Sequence, residues 1–219
     1  MRRRDLALAG VSAGLISGAW AQGGPIEGRH FVRLGQPLPA SAGKVEVIEF
    51  FLYTCSHCFA FDPLLEAWAH QLPPDVSFRR IPVGQLAVLK LHQRMFYALE
   101  ALGALTPAVH SGIFNAFHRQ RVEANDEAAV LALVGKLGVD TAKFKSALGS
   151  FSVQSKPTQG LKLAELAGVE GVPALVIGGR YRTAPGMGGS PGGSEEEHGR
   201  QALAVADVLL KQLRATKVS

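Results

Sequence analysis

The amino-acid sequence predicts an α/β chain whose sheet is assembled from two separated stretches with a block of helices between them. Three observations point there. Val45 to Tyr53, rich in β-branched and aromatic residues, is followed by a helical pattern and then a second strand pattern, together a strand–helix–strand unit. Residues 86–156 carry no strand pattern. Beyond them, Val172–Ile177 and Arg180–Thr183 flank Gly178-Gly179 as a hairpin, and a long helical stretch follows.

Taken in order, a short strand near His30–Leu34 follows a Gly/Pro-rich lead-in, and the strand 45–53 reads as buried. Only Thr54 separates that strand from Cys55, and from Ser56 the apolar residues Phe59, Leu64, Leu65 and Trp68 recur at helical spacing, predicting a helix over 56–71. Pro63 inside it removes one hydrogen bond and is expected to kink it. The turn Pro73-Pro74-Asp75 leads into a strand at Val76–Pro82. The helical block then reads as four stretches: Leu86–Leu102; one with Thr106 as N-cap and Pro107 as first residue; one capped by Asn125-Asp126 and ending at Gly138; and one opened by Asp140-Thr141. Pro157 is expected to interrupt the approach to the helix Leu161–Ala167. Ser194-Glu195-Glu196-Glu197 fits a capping box for the final helix, Glu195–Leu213. The glycine-rich loop 185–193 fails as a phosphate-binding turn, because Pro191 takes the place of its last glycine and no Gly-Lys-Ser/Thr appears.

Arg2-Arg3-Arg4, a weakly apolar run from Leu6 to Trp20, and Ala19-Trp20-Ala21 make residues 1–21 a secretory signal, with Gln22 as the first mature residue. Arg3-Arg4-Asp5-Leu6 leaves twin-arginine export open as a route. No later stretch approaches about 18 uninterrupted apolar residues, so a soluble mature protein is expected. The full chain carries a formal charge of +5, and losing three arginines and one aspartate with the signal leaves +3. That is too mild to argue for nucleic acid or an anionic membrane as partner.

Cys55-Ser56-His57-Cys58 holds both cysteines of the chain, a spacing that random placement would give in about one arrangement in 110. Two intervening residues let the first turn of a helix bring both thiols within disulfide distance while leaving the first at the tip. With Cys55 as N-cap, the N–H groups of His57 and Cys58 point at its sulfur, and together with the His57 ring they favour the thiolate. Cys58, among Phe51, Phe59 and Phe61, is expected to be shielded. A metal site is disfavoured because no further Cys/His cluster completes a ligand set, and a purely structural disulfide closing so small a loop would add little stability. In an exported protein the pair would rest as a disulfide.

Glu49-Phe50-Phe51, Cys55-x-His57-Cys58-Phe59-x-Phe61, the helical insert, Gly171-Val172-Pro173-Ala174 and Gly178-Gly179-Arg180-Tyr181 together resemble the DsbA-type thiol:disulfide interchange proteins, which are periplasmic dithiol oxidases. The resemblance implies a thioredoxin fold (residues 22–84 and 159–219) with an inserted all-helical domain (85–158). It implies that Cys55 is the nucleophile, that Cys58 resolves the mixed disulfide, and that Val172-Pro173 is a cis loop whose backbone pairs with extended substrate chains of broad sequence. Glu49 would exchange protons with Cys58, with Arg80 as charge partner, and His57 would act on Cys55. Asp62 reads instead as a solvated surface charge. Ser56 departs from the proline many members carry, which leaves the turn less constrained. No cofactor is implied. The partners would be unfolded or partly folded exported proteins with free cysteines and a quinone-linked membrane oxidase of the DsbB type, and a monomer is expected. The competing readings are a periplasmic reductase or isomerase of the same fold, and a peptide-binding chaperone with an incidental CxxC.

Overall fold

The computed structural model describes residues 23–39, 43–189 and 191–217; the expected signal at 1–21 lies outside them. Five strands form one sheet: β1 (Val32–Arg33), β2 (Val45–Phe51), β3 (Val76–Pro82), β4 (Ala174–Ile177) and β5 (Tyr181–Thr183), in the order β1-β5-β4-β2-β3. β2 and β3 pair in parallel across α1 (Ser56–Ala69), while β4 runs antiparallel to β2 and β5, and β5 antiparallel to β1. The strand–helix–strand unit and the hairpin therefore meet along β2 and β4.

Alternation along β2 assigns its two faces. Val45 and Val47 join Phe61, Leu65, Leu203, Val205 and Leu209 beneath α1 and α7 (Glu195–Lys217). Ile48 and Phe50 pack on the other side with Ile81 and with Ala164 of α6 (Phe151–Leu166). A third core lies within the helical block of α2 (Ala87–Ala101), α3 (Pro107–His118), α4 (Glu127–Lys136) and α5 (Thr141–Leu148), and reaches Phe51, Tyr53 and Cys58 beside the sheet.

The local signals in the insert hold. Thr106, Asp126 and Asp140 cap α3, α4 and α5 by accepting from Val109, Ala129, and Ala142 and Lys143 respectively. The capping box at Ser194 is closed in both directions, Ser194 N–H donating to Glu197 at 2.7 Å and Glu197 N–H to Ser194 Oγ at 3.2 Å. Two readings require correction. α6 runs from Phe151 to Leu166 straight through Pro157, since a proline ring forfeits only one hydrogen bond and the helix is held by packing of Val153, Pro157, Gly160 and Ala164. Strand β4 begins at Ala174 rather than Val172, because Pro173 has no N–H to give a ladder.

Candidate active site

Cys55 stands at the junction of sheet and helix with the extended backbone of an N-cap (φ −86°, ψ 121°), while its carbonyl accepts the first helical bond from Phe59 at 3.0 Å. Its sulfur makes no formal cap hydrogen bond. Even so, its pKa is lowered to about 6, chiefly by the Cys58 thiol, then by the N–H groups of Cys58 and His57 and by the His57 ring, against an opposing effect of partial burial. Cys58, one turn inward, is wholly buried, and burial together with the Cys55 sulfur pushes its thiol far up. The pair is thus asymmetric: the outer thiol ionises easily and the inner one holds its proton.

Beneath Cys58 lies an ionic chamber that follows from register. Parallel pairing sets Glu49 of β2 directly beside Arg80 of β3, on the face covered by α1. From α1, Asp62 and Glu66, four residues apart and so stacked on one helix face, reach the same guanidinium. Arg80 donates to Glu49 at 2.9 Å, to Glu66 at 2.8 Å and to Asp62 at 3.4 Å. Glu49 is 1% exposed, and burial raises its pKa to about 7 despite the attraction of Arg80, with Asp62 and Glu66 adding to the rise. The helical block contributes His110 of α3, whose Nδ1 is 2.8 Å from the Tyr53 hydroxyl and whose Nε2 lies 3.2 Å from Asp62, outside hydrogen-bond angles. Burial lowers the His110 pKa, in spite of Asp62.

On the outer side, Val172 and Pro173 approach the motif from the loop before β4, and the Cys55 thiol points at the Val172 carbonyl across 3.5 Å. The His57 ring pairs with Glu195 at the start of α7, Nδ1 to Oε1 at 2.8 Å. His57, Glu195, Val172 and Pro173 line an open cleft of about 480 Å³ that continues along Arg182 and Met187.

The profile of the DSBA-like thioredoxin domain matches residues 85–191, which leaves the CxxC pair outside the matched stretch. Relatives match over stretches long enough to span it. The thiol:disulfide interchange protein DsbA of Bordetella parapertussis is 38% identical over 187 residues, 85% of each chain. The chain belongs to the DsbA family. That of Burkholderia cepacia is 37% identical over 211 residues, 95% of this chain and 94% of the relative. Crystal structures of DsbA agree: that of Pseudomonas aeruginosa superposes with a TM-score of 0.79 at 34% identity over 88% of this chain and 96% of that one. The oxidoreductase NmDsbA1 of Neisseria meningitidis gives 0.73 at 25% identity over 89% and 96%. The architecture is accordingly the thioredoxin-like DsbA fold, and the chain is a thiol:disulfide oxidoreductase.

Within this DsbA fold, the residues expected from sequence gather at one place: Cys55, Cys58 and His57 on the first turn of α1, Val172 and Pro173 against it, and Glu49 beneath with Arg80 as its partner. Asp62 is a correction, being 6% exposed and not a solvated charge. The reason is the helix stripe. The buried positions of α1 are Cys58, Phe61, Asp62 and Leu65, spaced by three and four, so the stripe that buries Cys58 also buries Asp62. Glu66 and His110 were not anticipated. For Glu66 the signal is its spacing of four from Asp62; His110 comes from a distant helix and carries no local signal.

Proposed function

We propose that this chain is a periplasmic dithiol oxidase that donates its Cys55–Cys58 disulfide to exported proteins, and that residues 1–21 direct it there. The observation that carries the reading is the opposed pull on the two thiols: a Cys55 thiolate stabilised at a helix N-terminus next to a Cys58 that stays protonated. Whatever stabilises the Cys55 thiolate stabilises the reduced protein, and so makes the disulfide a stronger oxidant.

A substrate thiolate attacks Cys55 Sγ, the bond to Cys58 breaks, and the departing Cys58 sulfur takes up a proton. Glu49, with a pKa of about 7 in the chamber beneath, supplies it. A second substrate thiolate then attacks the substrate sulfur of the mixed disulfide, and Cys55 leaves as the thiolate its surroundings favour. Two electrons pass from substrate to enzyme, leaving a substrate disulfide and a dithiol. His57 stabilises that leaving thiolate, and the Val172 backbone beside Cys55 offers an edge to an extended chain. No cofactor enters these steps. The dithiol is reoxidised by a quinone-linked membrane partner of the DsbB type, and the enzyme works as a monomer. The sheet-forming segments 22–84 and 159–219 hold the chemistry, and the inserted segment 85–158 walls the buried side of it.

Equilibration with glutathione buffers tests the direction of transfer. A potential near about −120 mV, a magnitude known from DsbA itself and not obtained from this chain, fits a donor. One near about −270 mV would make the protein a reductant. Cys55→Ser separates catalysis from simple chain binding: all oxidation of reduced substrate proteins should cease, whereas a chaperone with an incidental CxxC would keep holding unfolded chains.

A further inference from the structure

Arg182 occupies the centre of β5, between the buried Tyr181 and Thr183, so alternation turns its side chain to the opposite face from theirs. There it lines the cleft that runs from His57 past Val172 and Pro173 to Met187. Its Nε is buried and has no hydrogen-bond partner among the described residues. With Nε sealed from solvent, the cleft meets this guanidinium only through its terminal amino groups, whose fork matches the two oxygens of a carboxylate.

The other charges of the cleft do not meet that need. Glu195 is engaged by His57 at 2.8 Å, and Glu170, also on the lining, is exposed to water, which screens it. The cleft is also tied to the chemistry. Cys55 Sγ touches the Val172 carbonyl at 3.5 Å, and Val172 and Pro173 form part of the cleft wall. A peptide joined through its cysteine to Cys55 must lay its neighbouring residues across this loop.

We propose that the cleft is a substrate subsite selecting a carboxylate: an aspartate or glutamate flanking the reacting cysteine of the client chain docks on Arg182. The inference rests on reading the chain as a disulfide donor through Cys55 and deepens it, since backbone pairing at Val172 tolerates any sequence, whereas Arg182 grades clients by charge.

The test uses the oxidised full-length protein and short two-cysteine peptides identical except for Asp, Ala or Lys at the positions flanking the first cysteine. The second-order rate of disulfide transfer is read for each. For the wild type, the Asp peptides should react about tenfold faster than the Lys peptides at low salt, the contrast shrinking as salt is raised. Arg182→Glu should reverse the order, and Arg182→Lys should keep it in weaker form. Arg180→Glu, an equal change of net charge on an exposed residue outside the cleft lining, should retain the wild-type order. Because each comparison is a ratio within one protein, partial loss of folded material in a variant does not alter it. Equal Asp-to-Lys ratios for wild type and Arg182→Glu, or reversal by Arg180→Glu as well, would overturn the subsite. Failure of the wild type to oxidise any peptide would instead sink the donor reading itself.

Discussion

Cys55 and Cys58 are one helical turn apart, and the media on their two sides differ as much as water differs from a protein interior. On the outer side, charges are half in solvent: His57 and Glu195 pair with side chains 63% and 52% exposed. On the inner side, Arg80 and Glu49 are 14% and 2% exposed, and three carboxylates share one guanidinium. Cys55 is acted on chiefly by the Cys58 thiol and then by the N–H groups and ring at the helix tip, whereas Cys58 and Glu49 on the inner side are acted on chiefly by burial. An ion pair can therefore be decisive in one place and marginal in the other, and desolvation decides which.

The sharpest way to break this contrast is Arg80→Met. It leaves Glu49 and Asp62 buried without their cation, so a loss of about 3–5 kcal/mol is expected at neutral pH by denaturant unfolding. The loss should shrink toward pH 5, where the orphaned Glu49 can take up a proton. A loss below about 1 kcal/mol, equal at both pH values, would mean that the guanidinium is not the counter-charge of the chamber.

How legible each side was in the sequence follows the same division. The outer side is local: strand, N-cap, CxxC and first turn lie within about a dozen residues, and each carries its own signal at fixed spacing. The sheet and the caps of the insert were legible for the same reason. The chamber is assembled from β2, β3, α1 and α3, so its membership depends on register and on which stripe of α1 turns inward. Of the stripe Phe59, Leu64, Leu65 and Trp68 that the sequence suggests, only Leu65 lies on the buried line through Cys58, Phe61 and Asp62, and the other three are partly exposed, so the spacing gave no sign that Asp62 turns inward. Pro157 was misread because proline's intrinsic cost was weighed without the packing that outweighs it in α6.

Glu49→Gln refines the comparison from the inner side. Burial raises the Glu49 pKa from an ordinary 4.5 to about 7. A raised carboxylate is fully compatible with folding below its unfolded value and weakens folding as pH rises toward its folded value. Relative to the variant, the wild type should thus lose up to about 3 kcal/mol between pH 4.5 and 7 and no more above it. Stability difference curves for the two proteins that run parallel through this window would place the proton elsewhere in the chamber.

From the outer side, the matching measurement compares reduced and oxidised wild type. Cys55 has a depressed pKa of about 6, so its thiolate adds stability above the unfolded value near pH 8.5, and that stability is lost as pH falls through about 6. Cys58 is shifted upward and opposes this only above about pH 8.5, which confines the clean window to roughly pH 6–8.5. Across it, the stability of the reduced form should rise relative to the oxidised form, which lacks both titrations. Since the Cys55 sulfur is partly exposed, solvent screening reduces the expected rise to about 1–2 kcal/mol. A flat difference would remove the thiolate from the account of the redox couple.

The smallest effect belongs to Glu195→Gln, and its smallness is the point of making it. Glu195 and His57 make a contact as short as the Arg80–Glu66 one, both at 2.8 Å, so distance alone would rank them together. Exposure separates them: water surrounds the outer pair and screens it, and holding two mobile side chains offsets much of the attraction. Unfolding stability should fall by less than about 0.5 kcal/mol, and the Cys55–Cys58 potential should move by no more than about 10 mV, the equivalent of that energy for a two-electron couple. A shift of 30 mV or more, about 1.4 kcal/mol, would show that the outer pair is effectively desolvated by the cleft it borders, and the line drawn between the two sides of the helix would have to move outward to include it.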